Sequence, residues 1–230
     1  MTIANNRPQD VYSALKQTDE AVKNLEYEKY AKVAPEDSVA RTKAALEANG
    51  FTVHVKDTRE EARELLKTII PAGKSVNNAH STTLEEIGFI EYLKGETGWD
   101  NVHSKILAET DFVKSMELRR TVGATVDYYL SGASAVTEDG AIVGVDMSGT
   151  RVGGWLVAAN LIVVTGTNKI VKDLPDAIKR VEKYAYELES ARVRITYEGV
   201  PSSTIANYAI IKKVSYNRVT VVLINDVLGY

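Results

Sequence analysis

Phe51-Thr52-Val53-His54-Val55-Lys56 alternates apolar and polar residues without a break. Such a period puts Phe51, Val53 and Val55 on one face of a strand and His54 on the other. Helical patterns flank it. Pro35-Glu36-Asp37 opens a helix with an acidic first turn suited to the macrodipole, Gly50 closes it, and another helix is predicted from near Thr58 to Ile70. A Pro71-Ala72-Gly73 turn, a short strand at Lys74 to Asn77 and a helix that Gly95 can stop continue the series. Strand, helix, strand, helix is the signature of a parallel sheet covered by helices, and it constrains the fold more than any other feature. Spacing is helical again between Trp99 and Val122. Val126 to Leu130, Ala141 to Val145 and Leu161 to Thr165 then read as strands, the first and last apolar enough to be buried on both faces. Asp173 is a candidate N-cap for a helix running to about Glu189, and two late strands, Ala209 to Ser215 and Val219 to Asn225, are joined by Tyr216-Asn217-Arg218. The expected fold is a three-layer α/β domain over residues 36–230. Before it lies a helical N-terminal extension, residues 1–35, with Val11, Leu15, Val22 and Leu25 at loose helical spacing.

With 230 residues, 44% of them hydrophobic, the chain can bury a substantial core. Its 28 basic and 31 acidic residues contain no basic block, which argues against a nucleic-acid partner. The absence of cysteine excludes disulfides, thiolate metal sites, cysteine nucleophiles and iron-sulfur ligation. No apolar run approaches the roughly 20 residues that span a bilayer, and the N-terminus lacks the apolar core of a signal peptide. A soluble, cytoplasmic protein without membrane attachment is expected.

Chemistry concentrates in "SVNNAHSTTLEEIG", Ser75 to Gly88. Thr82 with Glu85 and Thr83 with Glu86 each fit a capping box, which accounts for about half of the motif. Asn77, Asn78, His80 and Ser81 are left over, at the carboxyl end of a predicted parallel strand, where ligands of open α/β sheets bind. His80 has the intrinsic pKa of a general base, and a capped helix after a polar turn is the plainer alternative. His54, His80 and His103 are too dispersed for a recognisable metal spacing.

A second polar cluster runs from Leu130 to Gly154. Asp139-Gly140 signals a hairpin turn, so Glu138 and Asp139 read either as water-facing turn acids or, with Asp146, as carboxylates brought to a site. Arg151, among Gly149, Gly153 and Gly154, suits a substrate carboxylate. Thr165-Gly166-Thr167-Asn168-Lys169 follows an apolar strand directly, and Lys169 reads either as a ligand-binding or as a solvated lysine. Three polar loops after three strands would converge on one sheet edge.

"GKSV" with "STTLEEIG", "LSGASAVTEDGAIVGVDMSGTRV", "LIVVTGTNKIVKDLPDAIKRV" and "NRVTVVLINDVLGY" occur in that order and span most of the chain after about residue 36. In these segments the chain resembles the lactate-utilisation (LUD) domain family, of the lactate utilisation protein C type. The resemblance implies an open, mostly parallel sheet like that of the sugar isomerase and CoA-transferase superfamily. It also implies a link to lactate or other hydroxy acids, where such domains act beside iron-sulfur and redox proteins. Two departures stand out: Ala79-His80 replaces a glycine pair, and the cysteines that many relatives carry near "EGVPSSTIANY" are missing.

Two classes of function follow. One is a small-molecule enzyme on a 2-hydroxy or 2-keto carboxylate, working by proton transfer or isomerisation. His80, Glu138 or Asp139 is then the acid or base, Ser81, Thr82 and Thr83 bind an oxyanion, Arg151 or Lys169 takes the carboxylate, and Asn77, Asn78, Asp146 and Asn168 complete the site. The other is a non-catalytic subunit or metabolite-binding module of a lactate-utilisation complex, with partner proteins on the charged N-terminal helices, whereas a homo-oligomer would favour the enzyme. A nucleotide-dependent oxidoreductase fits less well, because no G-x-G-x-x-G follows a strand.

Overall fold

The computed structural model describes residues 19–230. Val11 and Leu15 of the expected extension lie outside them. In chain order the elements begin with α1 (Glu20–Lys23), α2 (Tyr27–Tyr30), α3 (Glu36–Ala48), β1 (Thr52–Lys56), α4 (Arg59–Ile69), β2 (Ser75–Asn78), α5 (Thr82–Glu86) and α6 (Phe89–Leu93). β3 (Asp100–Asn101), α7 (Val102–Leu107), α8 (Phe112–Arg120), β4 (Tyr128–Ser131), β5 (Ala135–Thr137), β6 (Ile142–Asp146) and α9 (Thr150–Val157) follow. β7 (Asn160–Gly166), a 3-10 turn (Thr167–Lys169), β8 (Ile170–Val171), α10 (Leu174–Arg180), a π-helical stretch (Val181–Ala185), α11 (Tyr186–Thr196), β9 (Asn207–Ile211) and β10 (Val219–Ile224) complete the series.

Six strands form a parallel sheet in the order β1-β10-β7-β4-β2-β3. Its inner strands β7 and β10 are apolar at most positions, because both faces are covered. Val53, Val221, Leu223, Leu161, Val163 and Tyr129 enter a core with α3, α7 and Trp155 of α9. Their neighbours Val222, Ile224, Ile162, Val164, Leu130 and Val76 enter a second core with α4, α5 and α6. The α/β architecture with helices on both faces of a mostly parallel sheet is as the sequence predicts.

The expected strands divide between two sheets. β6 and β9 belong to a four-stranded mixed sheet, β8-β5-β6-β9, in which β5 pairs parallel with β8 and the β5–β6 and β6–β9 pairs are antiparallel. One face of it, with Val136, Ile142, Ala209 and Ile211, closes the first core. The other, with Ala135, Val143 and Val171, packs on Ala177, Val181, Tyr184 and Leu188 and receives Val22 and Tyr30 of the N-terminal helices. The two late strands therefore separate: β9 joins this sheet, whereas β10 enters the large one between β1 and β7. Among the described residues no helix is long and apolar enough to cross a membrane.

Because the strands of the large sheet are parallel, Asn78, Ser131, Gly166 and Ile224 all end at one edge. The polar loops start there.

Candidate functional site

Three loops meet at that edge around one side chain. Lys169, 3% exposed, leaves the 3-10 turn after β7, and its ammonium donates to Thr83 Oγ1 at 3.3 Å and to the Ala133 carbonyl at 3.0 Å. Thr83 comes from the first turn of α5, which follows β2, and Ala133 from the loop after β4. Among the described residues no carboxylate is bonded to Lys169. Burial, reinforced by the nearby Arg180 and Arg151 and only partly offset by Glu86, pushes its pKa down to about 7. Glycine lets the loops approach: a Cβ on Gly132 would stand 2.9 Å from Ser81 Oγ.

The segment after β10 crosses this group. Leu228 N donates to Asn168 Oδ1 at 3.1 Å and Gly229 N to Glu86 Oε2 at 2.8 Å, while the Tyr230 hydroxyl donates to Glu189. Gly229, at φ +57, is so close that a Cβ would lie 2.6 Å from Thr82 Oγ1, 3.0 Å from Thr83 Oγ1 and 3.1 Å from Lys169 Nζ. Burial raises the pKa of Glu86, and the Gly229 N–H and Lys169 pull it back only in part.

His80 stands at the outer rim, its Nδ1 3.4 Å from Glu85 Oε1. Crowding by the protein, with Arg192 and Arg151, lowers its pKa, against the pull of Glu189; the 45% of the side chain open to solvent tempers that push. Glu189 is held bidentately by Arg192 at 2.8 and 2.7 Å. Burial raises the Glu189 pKa, but the Arg192 guanidinium outweighs it and keeps the carboxyl below the ordinary range.

The cap of α5 differs from both expected boxes. Ser81 is the N-cap, its Oγ accepting from Leu84 N at 3.3 Å. Glu85 and Glu86 do not close boxes with Thr82 and Thr83: they face His80 and the Gly229 N–H. Thr82 and Thr83 thus turn toward Lys169 and Gly229.

The remaining expected site residues divide. Asn77 and Asn78 are buried at the end of β2 and are bonded away from Lys169, Asn77 Nδ2 donating to Gly123 O at 2.6 Å and Asn78 Nδ2 to Ala79 O at 3.1 Å. Arg151 donates to the carbonyls of Val145 at 2.8 Å and His80 at 2.6 Å, so it braces the His80 loop. Asp146 organises the start of α9, accepting from the N–H groups of Gly149, Arg151 and Val152 and from Asn207. Glu138 and Asp139 are not brought to Lys169. Glu138 accepts from Ser38 at 2.5 Å and from Arg41 at 3.2 Å, which lowers its pKa and ties it to α3. Asp139 accepts from Thr137 within the β5–β6 turn.

Sequence reasoning missed Glu86, Glu189, Arg192 and Tyr230. Three of them lie in helices, where charged residues are ordinary, and only tertiary folding brings them here. Among the described residues no group of three or more His, Asp or Glu side chains is placed to hold a metal ion.

The sequence pattern that defines the LUD domain matches residues 39–224. No curated protein matches the chain. A crystal structure of a DUF162 family protein from Deinococcus radiodurans is similar at 13% identity and a TM-score of 0.48, over 82% of this chain and 96% of that one.

Proposed function

The chain belongs to the LUD domain family, and from that premise we propose that it is an enzyme transferring a proton on a 2-hydroxy or 2-keto carboxylate, at the strand-end group around Lys169. The family's name ties it to lactate utilisation. Lys169 carries the reading: its ammonium is buried, held by a hydroxyl and a carbonyl, and bonded to no carboxylate among the described residues. A lysine with its pKa near 7 is partly free amine at neutral pH, so it can both take and return a proton.

With a 2-keto acid, the amine removes a proton from the carbon next to the keto group, and the charge moves to the keto oxygen. The hydroxyls of Ser81, Thr82 and Thr83 donate to that oxygen, and the ammonium then returns the proton. Arg151 fixes the loop that presents His80 and the hydroxyls. Access to Lys169 requires Leu228–Tyr230 to shift, since Gly229 lies against it.

The test is exchange of the C3 hydrogens of a panel of 2-keto acids in D2O, followed by proton NMR, and of the C2 hydrogen of the matching hydroxy acids. The wild type should exchange at least one of them. Lys169→Met should lose about 10²- to 10⁴-fold of the rate, the usual worth of a positioned acid-base group. No exchange of any panel member, or an undiminished rate in Lys169→Met, overturns the reading.

A non-catalytic subunit of a lactate-utilisation complex is the second reading. It is favoured by α8, which buries no residue and leaves Phe112 77% and Val113 74% exposed. Apolar surface of this kind marks a partner face.

A further inference from the structure

Arg180, the last residue of α10, is fully buried. Its Nη1 donates to Ser134 O at 2.6 Å, and the residue before, Ala133, is the one whose carbonyl accepts from Lys169 at 3.0 Å. Two buried cations therefore hang on consecutive carbonyls of one loop, the short connection between β4 and β5. That loop is itself held, with Ser134 N donating to Val143 O of β6 at 2.8 Å.

Neither cation has a counter-ion among the described residues. Asp176, one turn earlier in α10, is taken by Lys29 at 3.3 Å. Two aromatic faces hold the guanidinium instead. It stands 5.6 Å from the centre of the Tyr30 ring and 5.3 Å from that of Tyr184, close enough for each face to attract a cation, and the two rings pack on each other at 5.2 Å. Tyr30 comes from α2 and Tyr184 from the π-helical stretch after α10. Nε and Nη2 make no hydrogen bond, so the charge is fixed in place without being neutralised.

Like charges buried near each other compete to shed a proton, and the group with the weaker proton affinity yields. Burial lowers the Arg180 pKa only to about 10, with Tyr184 and Tyr30 pulling it back up, so the arginine stays charged at neutral pH. The lysine yields. Among the charges that act on it after burial itself, Arg180 is the strongest, Arg151 of α9 adds to it, and Glu86 of α5 opposes them both.

We propose that Arg180 is a positioning residue for Lys169: seated on Tyr30 and Tyr184, and bonded to the loop that also holds the amine, its charge prevents Lys169 from keeping a proton firmly. The assignment rests on the proton-transfer reading for its use, since that reaction needs an amine that takes and returns a proton at neutral pH. It also gives the N-terminal helices a task, because α2 supplies one of the two rings.

A pH titration of the protein labelled with carbon-13 at the lysine Cε, followed by NMR and assigned with Lys169→Met, reads the amine directly and without turnover. The wild-type Lys169 signal should titrate with a midpoint of about 7. Arg180→Met and Arg180→Gln should each raise that midpoint by about one unit or more, a tenfold change in proton affinity. Glutamine keeps an amide donor for Ser134 O and loses the charge, so it separates the charge from the brace, and it carries the test alone if the methionine variant does not fold. Where exchange of a 2-keto acid is observed, the low-pH limb of its profile should move up by the same amount. An unchanged midpoint in Arg180→Gln, or a wild-type Lys169 that titrates at about 10 like a free lysine, overturns the proposal. A midpoint that shifts as expected, in a protein that exchanges no 2-keto acid, instead sinks the proton-transfer reading and leaves the action of Arg180 on Lys169 standing.

Discussion

At the scale of the residue, Lys169 shows what burial does to a side chain whose identity says little. In the sequence it was either a solvated lysine or a ligand-binding one. What decides is contact with Ala133 and Thr83, 36 and 86 positions away, which no local pattern encodes. Its pKa, about 7 folded against 10.5 for a free lysine, makes a prediction with a definite sign. Between those values the unfolded chain binds a proton that the folded one does not, so stability rises with pH across the window, by up to about 1.4 kcal/mol per unit. Urea unfolding at pH 7 and pH 9 should therefore show a larger gain for the wild type than for Lys169→Met. Equal gains would mean that the ammonium is solvated. Arg151 supplies a second test. Its fork spans two carbonyls, Val145 and His80, which a single ammonium does not reach together. Arg151→Lys should lose about 2 kcal/mol, the order expected for charge-assisted bonds, measured by the same unfolding.

At the scale of the element, the helices were more legible than their caps. Thr58 heads α4 with a full capping box to Glu61, as the start near Thr58 suggested. At α5 three hydroxyls in a row offered a choice, and the box rule favours Thr82 or Thr83. Ser81 caps instead, because Thr82 and Thr83 serve the group around Lys169 and their glutamates have other partners. Rules built on local pairs fail where a site recruits the pair. Helix α9 offers a sharper comparison in its adjacent glycines. A Cβ on Gly154 would stand 2.3 Å from the ring of buried Tyr129, while on Gly153 the nearest atom is 3.9 Å away. Alanine favours a helix by roughly 1 kcal/mol over glycine at either position. Gly153→Ala should gain up to that amount, and Gly154→Ala should instead lose about 1–3 kcal/mol to overpacking, read as opposite shifts in melting temperature.

At the scale of the whole molecule, the strands could be read but their sheets could not. Ile142-Val143 of β6 and Leu161-Ile162-Val163 of β7 look alike as apolar runs, yet one lies in the mixed sheet and the other in the middle of the parallel one. Pairing is set by which faces must be covered at once, a property of the assembled layers. β10 is the clearest case. It pairs with β1 along Thr52–Lys56 and with β7 along Leu161–Gly166, so it joins the edge strand β1 to the rest of the sheet. A chain ended at Tyr216 should therefore not keep a smaller fold: circular dichroism and urea titration should show no cooperative transition. A two-state transition in that truncated chain would contradict this dependence on β10.

The position of β10 also sets an order in time. β1 is synthesised about 160 residues ahead of its partner, which at 5–20 residues per second is a wait of roughly 8–30 s. Throughout that interval β1 lacks the strand that pairs with it, and over its last part, once β7 has been made, β7 too waits for β10 with an open edge, a state prone to pair with a neighbouring chain. The large sheet therefore cannot close until almost the whole chain has been made.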